Sequence, residues 1–236
     1  MEMQLVVEGS RPWELWTKHW GLSILVDRTI LFDTFANYGT LEKKLGQAKI
    51  DLASLRTVVI SHNHWDHIGG LQKLAEKRPG LTVYLPPSVN ESEWRKLLER
   101  RCLIMDARAP QKIGKNIALT GVIPTTYDGK EMLEQAMTVR TDRGFVLVVG
   151  CSHPGILEIV KKAKALLDAP VCGIIGGLHF MKAPKDEIHK VARALKEEKL
   201  EFIAPLHCTG GAAQKIFREI FGEAYLPLKE GETFTI

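Results

Sequence analysis

Between Thr57 and Gly70 the chain reads TVVISHNHWDHIGG. An apolar β run ends at Ser61, and His62, His64, Asp66 and His67 follow at once. Imidazole nitrogens and carboxylate oxygens are good ligands for zinc, iron and manganese. Four such groups in one turn cannot all be ordinary core residues, because every buried polar group needs a polar partner. In extended chain alternate residues face the same way, so His62 and His64 can share one metal ion. Once the chain bends, Asp66 and His67 can face a second. The spacing fits a metal loop better than a histidine-rich surface loop.

Three other histidines follow predicted strands: His153 in FVLVVGCSHPG, His179 in VCGIIGGLHF and His207 in FIAPLHCTGG. In open α/β sheets ligands bind beyond the carboxyl ends of the strands, so these positions point to one shared site. His19 and His189 lack that setting, and His189 belongs to a Lys-rich helix expected to face solvent. Pro154-Gly155 and Thr209-Gly210-Gly211 open helices just after the candidate ligands, with Pro154 in a first turn and Thr209 as an N-cap. Helix N-termini aimed at a site favour anions, which predicts an anionic substrate, though simple capping also accounts for each residue.

These residues must be positioned by alternating strands and helices, an α/β pattern. Strands are predicted at Gln4–Val7, Ser23–Val26, Thr29–Phe32, Thr57–Ile60, Thr82–Leu85, Ile117–Gly121, Met137–Arg140, Phe145–Val149, Val171–Ile175 and Phe202–Pro205. Helices are predicted at Thr40–Leu45, His67–Lys77, Glu91–Arg100, Gly155–Leu167, Lys185–Glu198 and Ala212–Phe221. Stripes at helical spacing, such as Ile156, Ile159, Val160 and Ala163, read as core. Trp13, Trp16 and Trp20 share one helical face. The simplest reading buries them against the body; a lid or a dimer contact in a homo-oligomer is the alternative.

The 236 residues are 25% charged and 45% hydrophobic, with a net charge of +4, which excludes disordered and collagen-like chains. A single domain over residues 1–236 is expected, with two sheets and helices outside them. No apolar run approaches the roughly 18 residues of a membrane span. Glu2 and Glu8 interrupt what would be a signal sequence, and the four cysteines (Cys102, Cys151, Cys172, Cys208) form no CxxC pair. A cytoplasmic protein with reduced thiols is expected. Its basic residues are spread along helical segments, so neither nucleic acid nor membrane is an expected partner.

His62-x-His64-x-Asp66-His67, with His153 and His207 downstream and Ile30-Leu31-Phe32-Asp33-Thr34 upstream, resembles the signature of the metallo-β-lactamase superfamily. The resemblance runs from about Gly21 onward and implies an αββα sandwich of two mixed sheets flanked by helices. It also implies two divalent ions, first of all zinc, with manganese and iron open. The set GLSILVD, ILFDT, SHNHWDHIGGL, EQAM, GCSHPGI, GGLHF and HCTGGAA is similar to one branch in particular. That branch is typified by the 7,8-dihydropterin-6-ylmethyl-4-(β-D-ribofuranosyl)aminobenzene 5′-phosphate synthases of methanopterin biosynthesis. These enzymes release diphosphate as they join a dihydropterin to an aminobenzene ribosyl phosphate.

On this resemblance His62, His64 and His153 bind one metal, and Asp66, His67 and His207 bind the other. Asp66 is also a catalytic candidate for proton transfer. Asp33 fixes a histidine tautomer from behind; the alternative is a turn Asp. His179 is the second catalytic candidate and, with Thr209, contacts substrate; a satisfied structural histidine is the alternative. Three departures stand out. Cys151 occupies the place of a bridging Asp, as a thiolate ligand or a buried inert thiol. The stretch NIALTGVIPTTYDGKEM lacks the usual lone histidine, whose role then passes to His153. Phe35 replaces a common Gly and either narrows the approach to the site or packs. The competing readings are hydrolysis of another ester (phosphodiester, lactone or thioester), di-iron redox or O2 sensing, and metal binding without catalysis.

Overall fold

The computed structural model describes every residue except Lys18. Its contacts divide the chain into two units, Met1–Arg108 with Lys229–Ile236, and Ala109–Leu228. Each unit has its own sheet, its own helices and its own apolar core.

The first unit contains β1 (Glu2–Gly9), β2 (Gly21–Val26), β3 (Ile30–Phe32), β4 (Thr57–Val59), β5 (Thr82–Leu85) and β6 (Leu103–Asp106), with β15 (Thr233–Thr235) returning from the chain end. The sheet order is β15-β1-β2-β3-β4-β5-β6. Pairing is antiparallel from β15 to β3 and parallel from β3 to β6. Each parallel step needs a crossover, supplied by α1 (Tyr38–Gln47), by α2 (Trp65–Ile68) with α3 (Leu71–Lys77), and by α4 (Glu91–Glu99). Leu41, Leu45, Leu71, Leu74 and Leu97 of these helices bury with Leu31, Val58 and Val83 of the strands. The helix expected over His67–Lys77 is broken in two. The pair Gly69-Gly70 passes directly against the backbone of residues 34–36, where a side chain at Gly69 would lie 2.1 Å from the Ala36 carbonyl. That close approach ends α2 and turns the chain.

The second unit contains β7 (Gln111–Lys112), β8 (Ile117–Leu119), β9 (Ile123–Tyr127), β10 (Lys130–Glu134), β11 (Met137–Thr141), β12 (Gly144–Val149), β13 (Val171–Gly177) and β14 (Phe202–Leu206). Its main sheet runs β14-β13-β12-β11-β8-β7, parallel over β12-β13-β14 and antiparallel elsewhere. The crossovers are α5 (Ile156–Leu167) and α6 (Lys185–Glu197); α7 (Gly211–Phe221) follows β14. Alternate residues Phe145, Leu147 and Val149 bury with the α5 stripe of Ile156, Ile159, Val160 and Ala163 and with Phe217 of α7. Among the described residues strands β9 and β10 pair only with each other, through a two-residue turn in which Asp128 and Gly129 both have positive φ. Asp-Gly with that geometry is a hairpin signal the strand predictions passed over.

The α/β expectation holds, and all ten predicted strands form, Thr82–Leu85 as predicted and the other nine with shifted ends. Four expectations are corrected. Pro154 precedes α5, whose N-cap is Gly155, and Thr209 does not cap α7, because Gly210 does. Among the described residues the tryptophan segment forms only a short 3-10 turn, Pro12–Leu15. Trp20 is buried, but Trp13 is 55% and Trp16 90% exposed, so a shared buried face does not form. His189 is half-buried rather than fully solvent-facing.

Candidate metal centre

Every candidate ligand except His64, Asp66 and His67 sits at or just past the carboxyl end of a parallel strand, and those three follow β4, with Asp66 and His67 in α2. Asp33 ends β3, His62 follows β4, Cys151 and His153 follow β12, His179 follows β13 and His207 follows β14. Parallel neighbours put these ends on the same edge of each sheet.

In the first unit His62 and His67 are fully buried and Asp66 nearly so. The His62 ring centre lies 4.7 Å from that of His64 and 4.2 Å from that of His67. The Asp66 carboxylate lies 3.6 Å from His67 Nε2. Asp33 organises the group. Its carboxylate accepts hydrogen bonds from the Ser61 amide and hydroxyl, both 2.7 Å, and pairs with His67 Nδ1 at 2.6 Å. Bonding at Nδ1 commits Nε2 of His67 to any metal, the carboxylate–histidine arrangement common behind metal ligands. Burial pushes the Asp33 carboxyl up from its ordinary range, against the opposing pull of His67 and Ser61.

In the second unit Cys151, His153 and His179 bring one ligand atom each within 4.8 Å of one another, as do Cys151, His207 and Cys208. The organising residue is Glu134, at the end of β10. Its Oε1 accepts the amides of Cys151 at 2.9 Å and Ser152 at 2.8 Å. Its Oε2 accepts the His153 amide at 2.8 Å and pairs with His153 Nδ1 at 2.9 Å. Tyr127, at the hairpin turn, places its ring centre 4.7 Å from that of His153 and 5.3 Å from that of His179. The Cys208 thiol and His179 are hydrogen-bonded. Burial alone would raise the Cys208 pKa, but the Cys151 hydrogen bond, the field of His207 and the His179 contact outweigh it and hold the thiol well below its ordinary value. The same hydrogen bond to Cys208 pulls His179 up. Thr209 is buried and its hydroxyl accepts the Leu178 amide at 3.0 Å.

Backbone strain concentrates here. Asp33, Phe35, Ser152, His179 and His207 all have φ between 48° and 63°. Side chains rarely adopt that region, and it persists where surrounding structure enforces it, most often at functional sites. Phe35 is fully buried in the first core, so of its two readings packing is the one observed. Its positive φ explains why glycine suits that position.

The donors suit divalent metal ions. Each unit offers a histidine whose Nδ1 is held by a buried carboxylate, and the clustered thiols, Cys151 and Cys208, belong to the second unit. Glu134 and Cys208 were not singled out by sequence. Glu134 lies in EQAM, a segment that entered only as part of the branch resemblance, and Cys208 adjoins His207 without a spacing motif.

Residues 21–160 match the metallo-beta-lactamase superfamily profile. The chain is 27% identical to the 7,8-dihydropterin-6-methyl-4-(beta-D-ribofuranosyl)-aminobenzene-5'-phosphate synthase of Methanocaldococcus jannaschii, with 92% of this chain and 90% of that protein covered. Among solved structures, a metal-dependent hydrolase of the beta-lactamase superfamily superposes with a TM-score of 0.80 at 27% identity, covering 100% of this chain and 99% of that one. A metallo-beta-lactamase fold protein from Bacillus subtilis gives a TM-score of 0.70 at 15% identity over 99% of each chain, a likeness of fold alone.

Proposed function

The chain belongs to the metallo-beta-lactamase superfamily, and from that premise we propose that it is a metal-dependent enzyme acting on a phosphorylated or diphosphate-bearing small molecule. The favoured reaction is dihydropterin-methyl transfer with release of diphosphate, as the name of the archaeal relative suggests. In the first unit His62, His64, Asp66 and His67 would serve as metal ligands, and in the second unit His153 and His207 would.

The observation that carries this reading is the pair of buried carboxylates, each bonded to the Nδ1 of a proposed ligand: Asp33 to His67 at 2.6 Å and Glu134 to His153 at 2.9 Å. A buried carboxylate is costly, and two of them placed behind histidines make sense as supports for ligands. Bound divalent ions supply Lewis acidity toward a phosphoryl or acyl oxygen and stabilise a leaving diphosphate. The chain's own residues do the rest. Asp66 is the proton acceptor. His179, whose pKa is raised by its contact with Cys208, donates to an anionic oxygen of the substrate. Tyr127 provides an aromatic edge beside His153 and His179, suited to a flat ring.

A second reading, hydrolysis, is supported by the solved relative named as a metal-dependent hydrolase at 27% identity. One assay separates the two. Metal-loaded protein is given a dihydropterin-methyl diphosphate, with and without an aminobenzene ribosyl phosphate. Diphosphate release that requires the aminobenzene supports transfer, whereas release without it supports hydrolysis. No release here, and no turnover of phosphodiester, lactone or thioester substrates, contradicts the proposal.

A further inference from the structure

We infer that the second unit carries a separate anion site, a hollow over β7, β8 and β11 that takes one phosphate group, free or as a monoester. Lys112, Lys115, Asn116 and Arg140 rim the hollow, and Ala118, Thr138 and Leu167 form its floor and wall. The site does not depend on the metal-dependent reading above. It lies toward the other end of the sheet from the candidate ligands. Arg140 pairs with Phe145 near the start of β12, whereas Cys151 and His153 follow Val149 at its end.

Strand register builds the hollow. Lys112, Ala118 and Thr138 stand opposite one another across the three strands, so their side chains share one face. Arg140, two residues beyond Thr138, shares that face. In the same rows, Phe145 and Leu147 of β12 bury with the α5 stripe. Leu167 is the last residue of α5, so the hollow opens where the helix cover stops. The small side chain of Ala118, between Lys112 and Thr138, leaves about 100 Å³, the liquid volume of about three waters. That space suits one phosphate group and excludes a ring. Its charge is of one sign, since no carboxylate lines it. Lys112, Lys115 and Arg140 form no ion pair among the described residues, whereas Arg108 and Arg143 on adjoining segments pair with Asp106 and Glu201. The turn from β7 to β8 adds donors: the amides of Gly114, Lys115 and Asn116 meet no acceptor among the described residues. The Arg140 amide donates to the Asn116 carbonyl at 2.7 Å, which holds this turn beside β11. The Thr138 hydroxyl is already spent on the Ala118 carbonyl at 3.1 Å and serves as floor. A carboxylate is a monoanion with two oxygens and leaves cations unmatched. A phosphate group, near a dianion with three terminal oxygens, fits three cations and their neighbouring amides.

The test is titration of the isotope-labelled full chain with inorganic phosphate at constant ionic strength, followed by nuclear magnetic resonance. The amides of Gly114, Lys115 and Asn116 and the Arg140 Nε–H should shift together and saturate. Acetate at the same ionic strength should leave them in place. Ribose 5-phosphate distinguishes the source: saturation of the same signals shows that a monoester is accepted, and a response to inorganic phosphate alone identifies the free ion as the ligand. Lys112→Gln and Arg140→Gln should each weaken binding about tenfold, and Lys43→Gln, on α1 of the first unit, should not change it. Ala118→Leu should abolish binding with all three cations in place; if that variant fails to fold, the two exposed-residue variants still decide. Equal shifts with acetate, or undiminished binding by folded Ala118→Leu, would reduce the site to diffuse surface charge and overturn it. Phosphate-induced shifts confined to the loops of the metal centre would also overturn it, while leaving the metal-dependent reading untouched.

Discussion

Both units face the same physical problem, holding a histidine in one tautomer inside a loop that leaves a parallel strand, and they solve it differently. The first unit uses a short side chain on the strand next door. Asp33 ends β3, beside β4, and reaches the Ser61 amide, the Ser61 hydroxyl and His67. The second unit uses a longer side chain from outside its main sheet. Glu134 ends a hairpin strand and gathers three successive amides as well as the His153 ring. Successive amides converge on one acceptor only where the backbone departs from regular structure, and Ser152 at a φ of 63° provides that departure. Asp33 therefore mainly orients a histidine, whereas Glu134 orients a histidine and holds the loop that carries it. The hairpin also brings Tyr127 against His153 and His179, which ties the anchor to the wall of the site.

The comparison breaks most sharply at Glu134. Glu134→Ala strands three amides in the interior and should cost about 3–5 kcal/mol, read by urea unfolding. If Glu134 served only as a strand residue, the loss would stay near 1 kcal/mol, as for an average substitution. Asp33→Asn comes next. It removes the charge behind His67 but keeps the shape, so metal affinity should fall about 10–100-fold, measured by competition with a chromophoric chelator. Its effect on stability should be smaller than that of Glu134→Ala. Tyr127→Ala should follow: it removes an aromatic beside two histidines without removing a ligand. Metal content should stay at the wild-type level and KM should rise several-fold, with kcat changed less. Trp16→Ser should matter least to the fold, within about 0.5 kcal/mol, because the ring is 90% exposed.

The contrast between the anchors also accounts for what was legible in the sequence. Asp33 stands at the end of an apolar strand, in a motif whose partners lie one parallel strand away, so its place could be read. Glu134 sits on a hairpin that pairs with neither main sheet, and its partners are backbone amides, which leave no mark in a sequence. Strand ends carrying His153, His179 and His207 were visible because each closes a run of apolar β-formers. The cluster of Cys151 with Cys208 was not, since 57 residues separate them and the approach depends on β12 and β14 flanking β13. The tryptophans misled for a different reason: helical spacing was read where the chain manages only one 3-10 turn. The break between α2 and α3 was hidden because a glycine pair is tolerated in a helix unless another backbone, here residues 34–36, comes too close.

The central claim, that this chain is a two-metal protein, is tested most directly by metal content. Purified wild type and His64→Ala, each reconstituted with zinc, manganese or iron and freed of loosely held ions, are measured by elemental mass spectrometry. About two ions per wild-type chain and clearly fewer in the variant are predicted for a dinuclear centre. A wild-type chain that retains no metal after all three reconstitutions would contradict the account.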